Sequence, residues 1–103
     1  MIVEILYFDG CPSYRRLLPT VRRHAERAGA ELRQRRVETP EEAERERFLG
    51  SPTVRVDGRD IDPGASERTD YGLKCRLYRP PGPAPSPIPT EEWIRAALKA
   101  RRG

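Results

Sequence analysis

The chain has little with which to hold a metal or staple itself together. It contains one histidine and two cysteines. That set cannot complete a four-ligand zinc site without help from carboxylates. No cofactor and no resident metal are expected. Lysine occurs only at positions 74 and 99, so the basic residues are almost all arginine. We read this first as composition bias. No basic run is interleaved with aromatic residues that could stack on bases, and Glu41, Glu42, Glu44 and Glu46 sit among the arginines. The net charge of +4 is therefore poor evidence for a nucleic-acid partner. Long hydrophobic runs are also missing, which excludes a membrane-spanning helix. The opening Met1-Ile2-Val3-Glu4-Ile5-Leu6-Tyr7-Phe8 has no basic leader and no small-residue cleavage site. A cytoplasmic protein with no membrane partner is expected. In that reducing compartment the two cysteines read as working or inert thiols rather than a structural staple.

What is present fits one domain over residues 1–103. With 36% hydrophobic and 35% charged residues, the chain can form a thin core under a charged surface. Residues 2–8 are apolar apart from Glu4 and suit a strand buried on both faces. Asp9-Gly10-Cys11-Pro12 breaks that run. A helix follows to Ala28, with Leu17, Leu18, Val21, Ala25 and Ala28 on one face. Pro12 suits its first turn, Pro19 should kink it and Gly29 ends it. Residues 31–37 predict an arginine-rich second strand. Thr39-Pro40-Glu41-Glu42 is a strong helix start, with the helix expected to run to Gly50. Asp57-Gly58 between two short runs signals a hairpin, with strands at 54–56 and 59–62. A long loop, 63–89, ends in a proline-dense connector. A final helix is expected over 90–102, with Arg101 and Arg102 suiting its negative end. No internal repeat is present.

The order is βαβ followed by ββα, which builds an α/β fold with a four-stranded mixed sheet flanked by three helices. Within it, Cys11 falls at the turn between the first strand and the first helix, Pro19 lies inside that helix, and Pro52 stands just before the hairpin in Ser51-Pro52-Thr53. At these three positions the chain resembles the thioredoxin superfamily. There the first site carries the nucleophilic cysteine, the second a helix-kinking proline and the third a cis-proline. The segments 7–13 and 51–60 are also similar to a group of short bacterial thioredoxin-like proteins, some labelled alkylmercury-lyase-like or selenoprotein-related. One departure matters: Cys11-Pro12-Ser13-Tyr14 stands where the superfamily has C-x-x-C, so Tyr14 replaces the resolving cysteine.

The resemblance implies thiol redox chemistry on a protein or low-molecular-weight disulfide. Cys11 would be the nucleophile, and Ser51 and Pro52, with Pro12, Ser13 and Tyr14, would contact the substrate. A thiol attacks as the thiolate, and free backbone N–H groups at a helix start favour an anion. Cys75 or an external thiol would resolve the mixed disulfide. Loop 63–89 leaves the site's edge at Asp62 and has chain enough to bring Cys75 back to it. Other readings stay open. The two thiols suit a soft ion such as Hg²⁺ or Cu(I), with Asp9, Asp60 or Asp62 handling a proton. The domain could equally be a binding module without turnover. Cys11 could be a small buried hydrophobe at a turn, and Cys75 an apolar residue of the 73–78 segment. Tyr71 and Tyr78 line the site or cover core edges. His24, mid-helix among arginines, reads as a solvated surface residue.

Overall fold

The computed structural model describes residues 1–82 and 84–102. Pro83 of the connector and the side chains of Arg101 and Arg102 lie outside the described residues. The elements run β1 (Ile2–Tyr7), α1 (Pro12–Ala28), β2 (Glu31–Arg36), α2 (Pro40–Arg45), β3 (Thr53–Val56), β4 (Arg59–Asp60) and α3 (Glu91–Arg102). The four strands form one mixed sheet in the order β2-β1-β3-β4. β1 pairs parallel with β2, from Ile2 opposite Glu31 to Tyr7 opposite Arg36, and antiparallel with β3, from Val3 opposite Val56 to Leu6 opposite Thr53.

Alternation along β1 sorts its side chains between two layers. Val3 and Ile5 join the main core with Leu17, Val21 and Ala25 of α1, Val54 and Val56 of β3, and Ile94 and Leu98 of α3. Leu6 enters a smaller cluster with Val37, Ala43 and Phe48. Burying one such large aliphatic side chain contributes about 1.5–3 kcal/mol, so the main core carries most of the stabilisation. Glu4 faces the smaller-cluster side and pairs with Arg35 at 3.2 Å, so β1 is less apolar on that face than the sequence suggested. In β2 every side chain except Leu32 is exposed, as suits a charged edge strand that resists pairing with another sheet.

Helix starts follow the sequence closely. Thr39 Oγ1 accepts from Glu42 N at 3.1 Å, with Pro40 in the first turn. Thr90 does the same for α3, accepting from Trp93 N at 3.1 Å. Gly29 closes α1 in the left-handed conformation at φ 68°, and Pro19 is accommodated within the continuous helix. The end of α2 departs from expectation: it stops at Arg45, not Gly50. Arg47 takes φ 54°, and Phe48 N returns to Ala43 O at 2.8 Å. This reversal turns Phe48 and Leu49 inward, where both are buried; continuing the helix would have carried them along its axis. Arg55 braces the reversal by donating to the carbonyls of Glu46 and Arg47. Burial lowers the pKa of that guanidinium, against the pull of Asp60 and Glu4.

His24 is a second correction. It is buried, and its Nε2 lies 2.8 Å from Glu91 Oε1. Packing of α3 on α1 covers a position that looked like solvated surface. Among the described residues, no helix is long and apolar enough to cross a membrane.

Candidate functional site

β1 and β3 run antiparallel, so the end of β1 and the start of β3 meet at one sheet edge. Phe8 N donates to Ser51 Oγ at 3.3 Å across that edge. Three residues beyond Phe8, Cys11 is the N-cap of α1. Its side chain makes no capping hydrogen bond, and it is only 3% exposed. Pro12 has no N–H, so the amides of Ser13 and Tyr14 are first-turn donors without helical acceptors. Gly10, at φ 81°, makes the tight approach to the helix possible. Asp9, which would oppose a nearby thiolate, pairs instead with Arg36 at 3.0 Å.

The remaining residues of the motif have separate surroundings. Pro12 is exposed and Ser13 half-buried. The Tyr14 ring stacks on Tyr7, with centroids 3.8 Å apart, and its hydroxyl donates to Gln34 of β2. Burial raises the Tyr14 pKa, with the neighbouring Tyr7 adding to it. Tyr14 thus ties the first turn of α1 to β1 and β2.

Ser51 and Pro52 are buried, and the peptide bond between them is cis. Their backbone groups are already in use. Ser51 N donates to Lys74 O at 2.8 Å, and Arg76 N donates to Ser51 O at 2.9 Å. The carbonyl of Pro52 accepts from the Tyr78 hydroxyl at 2.5 Å. Residues 74–76 therefore lie alongside Ser51 like one more short strand, with Cys75 directly opposite Ser51. Gly50 permits this approach: a Cβ there would stand 3.0 Å from Arg76 Cα, Arg76 N and Lys74 O.

The anchor of this segment is Arg76, which the sequence did not single out. Its side chain has no solvent exposure. It donates to both carboxylate oxygens of Asp60, at 2.6 and 3.1 Å, to Asp62 at 3.3 Å and to Thr53 Oγ1 at 3.0 Å. It also lies over the Tyr78 ring, 4.4 Å from the centroid. Burial opposes its charge, but Tyr78 and the Asp60 carboxylate outweigh that and raise its pKa. Tyr78 is itself fully buried, and burial drives its phenol far above the ordinary tyrosine value. Asp60 and Asp62, read from the sequence as turn residues or proton handlers, are thus the counter-ions of a buried arginine. The available signal was the Asp60-x-Asp62 pair; nothing in the sequence separates Arg76 from its basic neighbours Lys74 and Arg79.

Both cysteines are free thiols, Cys11 buried and Cys75 exposed. Among the described residues, no group of three or more His, Cys, Asp or Glu side chains is placed to hold a metal ion. Two adjoining hollows, of about 580 and 630 Å³, lie beside β4 and share Leu49, Asp62, Pro63 and Trp93. Cys75 lines the second, and Tyr71 the first; Cys11 borders neither.

Comparison with family models, curated proteins and solved structures finds no match. The functional reading therefore rests on the residues themselves.

Proposed function

We propose that the chain is a thioredoxin-like, thiol-dependent redox protein whose nucleophile is Cys11. The observation that carries this reading is Cys11 as the buried N-cap of a 17-residue helix, the end at which first-turn amides lack helical acceptors. Phe8, three residues before Cys11, is hydrogen-bonded to Ser51, and Ser51 in turn is paired with Cys75.

In the reaction, Cys11 loses its proton and its sulfur attacks one sulfur of a disulfide. The Cys11–substrate bond forms as the substrate S–S bond breaks, and the departing thiolate takes up a proton. A second thiol, Cys75 or an external one, then attacks the mixed disulfide and releases the other half of the substrate reduced. Since Cys11 is buried and the flanking Asp9, Gly10 and Pro12 are exposed, attack requires this turn to open. Exchange at Cys11 is expected to be slower than at Cys75. Because Ser51 is already paired with residues 74–76, a substrate backbone does not pair with it directly.

The test is exchange with 2,2′-dithiodipyridine, followed by mass spectrometry of Cys75→Ser and Cys11→Ser. Support is a Cys11 mixed disulfide that forms in folded Cys75→Ser and is released by added thiol. If Cys11 stays unmodified until the protein is unfolded by urea, the nucleophile assignment is wrong.

A further inference from the structure

Cys75, the exposed thiol, opens onto a cationic groove. From Leu73 to Tyr78 the segment alternates: Arg76 and Tyr78 are buried, while Leu73, Cys75 and Leu77 are exposed. The two backbone hydrogen bonds to Ser51 and the ionic anchor of Arg76 hold the thiol on a fixed frame. The hollow of about 630 Å³ that it lines also holds Arg68, Lys74 and Arg79, with Leu77 and Trp93 as apolar wall.

The local acids do not neutralise these cations. Arg68 and Lys74 share a single carboxylate, Asp70, at 2.7 and 2.8 Å. Hydrogen bonds from Arg68, then from Lys74, hold Asp70 far below the usual carboxylate pKa, and its ion pairs are to those two residues. The hollow's own acid, Asp62, is turned toward Arg76. Arg79 has no ion-pair partner among the described residues. The adjoining hollow, where Glu46, Asp60 and Asp62 stand with Arg47, Arg55 and Arg59, adds no net charge, so the positive excess belongs to the hollow beside Cys75. A groove of this size, with an apolar wall and excess positive charge, suits a small organic anion.

We propose that this groove binds low-molecular-weight disulfides whose bodies carry carboxylates, and that Cys75 exchanges with them. The Cys75 thiolate attacks one sulfur of the disulfide, and a Cys75 mixed disulfide forms as the original S–S bond breaks. The other half leaves as a thiolate and takes up the proton that Cys75 released. The disulfide is the oxidant, so no further reactant is needed. This role is separate from that of Cys11 and does not depend on it.

The experiment uses the full chain as Cys11→Ser, so that exchange reports Cys75 alone. Rates of mixed-disulfide formation are measured by intact mass with glutathione disulfide (anionic), bis(2-hydroxyethyl) disulfide (neutral) and cystamine (cationic). Each is divided by its rate with a small neutral model thiol, which removes intrinsic reactivity. At low salt the normalised rate is expected to be about tenfold higher for glutathione disulfide than for cystamine, as electrostatic focusing gives. That ratio should shrink at about 0.5 M NaCl and fall in Arg79→Glu but not in Arg79→Lys. Arg79 is on the exposed rim, so folding is not at stake in these variants. Equal normalised rates for the three disulfides, or an order unchanged by salt and by Arg79→Glu, would overturn the proposal. Failure of the Cys11 assignment would appear in Cys75→Ser, a different protein.

Discussion

Replacing Arg76 by methionine tests whether one buried guanidinium holds the Cys75 segment against the sheet. The substitution removes the two-pronged contact with Asp60, the contact with Asp62 and the bond to Thr53 Oγ1. Removing one partner of a buried ion pair costs about 3–5 kcal/mol. Two features pull the figure down. The Asp60 and Asp62 side chains are each 14% exposed and can take up water. Arg76 Nε is also a buried donor with no partner, and its loss relieves about 1 kcal/mol or more. Methionine, unbranched and apolar, refills part of the volume and can keep contact with Tyr78. The expected net loss is about 2–3 kcal/mol. With a urea slope of about 1.5 kcal/mol/M for a chain of this size, the midpoint falls by about 1.3–2 M. Asp60→Asn in the Arg76→Met background should then cost less than in the wild type, with a coupling of about 1 kcal/mol. A midpoint shift below about 0.5 M, or additive effects of the two substitutions, would refute the anchoring role.

Two other perturbations bear on the same frame. Gly50→Ala sets a methyl group against the backbone of Lys74 and Arg76 and forces alanine to φ 128°. That strain alone costs about 1–3 kcal/mol, so unfolding in urea should show a loss of about 3 kcal/mol, and a change under 1 kcal/mol would contradict the close approach. Tyr78 gives a pH dependence. Burial raises its pKa in the folded state, so above the ordinary value near 10 the folded protein binds more protons than the unfolded chain, and stability falls as pH rises. Absorbance at 295 nm should show Tyr78 ionising only together with the loss of circular dichroism. Ionisation of all four tyrosines in a folded protein would count against this.

Local chemistry made several elements readable in advance. Ile2–Tyr7 stood out as the apolar run of a central strand, and Thr39-Pro40 marked the start of α2. Asp57-Gly58 takes positive φ at both residues, 49° and 82°, as a tight hairpin requires. Cys11 was placed at a helix start by Pro12 and the helical spacing that follows it. The length of α2 was misjudged because its end is decided by where Phe48 and Leu49 must go, not by propensity. His24 was misjudged because the helix that covers it lies far along the chain.

The sequence alone determined the order of strands and helices, the caps that begin the helices, and the position of Cys11 at one such start. Each depends on residues within a few positions of one another, where backbone sterics and hydrogen-bond supply act directly. Only the tertiary structure decided that Cys11 is buried while Cys75 is exposed, and that residues 74–76 occupy the backbone of Ser51. It also decided that Arg76 is an interior ion rather than one more surface arginine. Those outcomes depend on pairing groups distant in sequence, such as Asp60 with Arg76 and Ser51 with Cys75. A buried charge survives only where such partners converge, and convergence of that kind leaves little trace in a linear pattern.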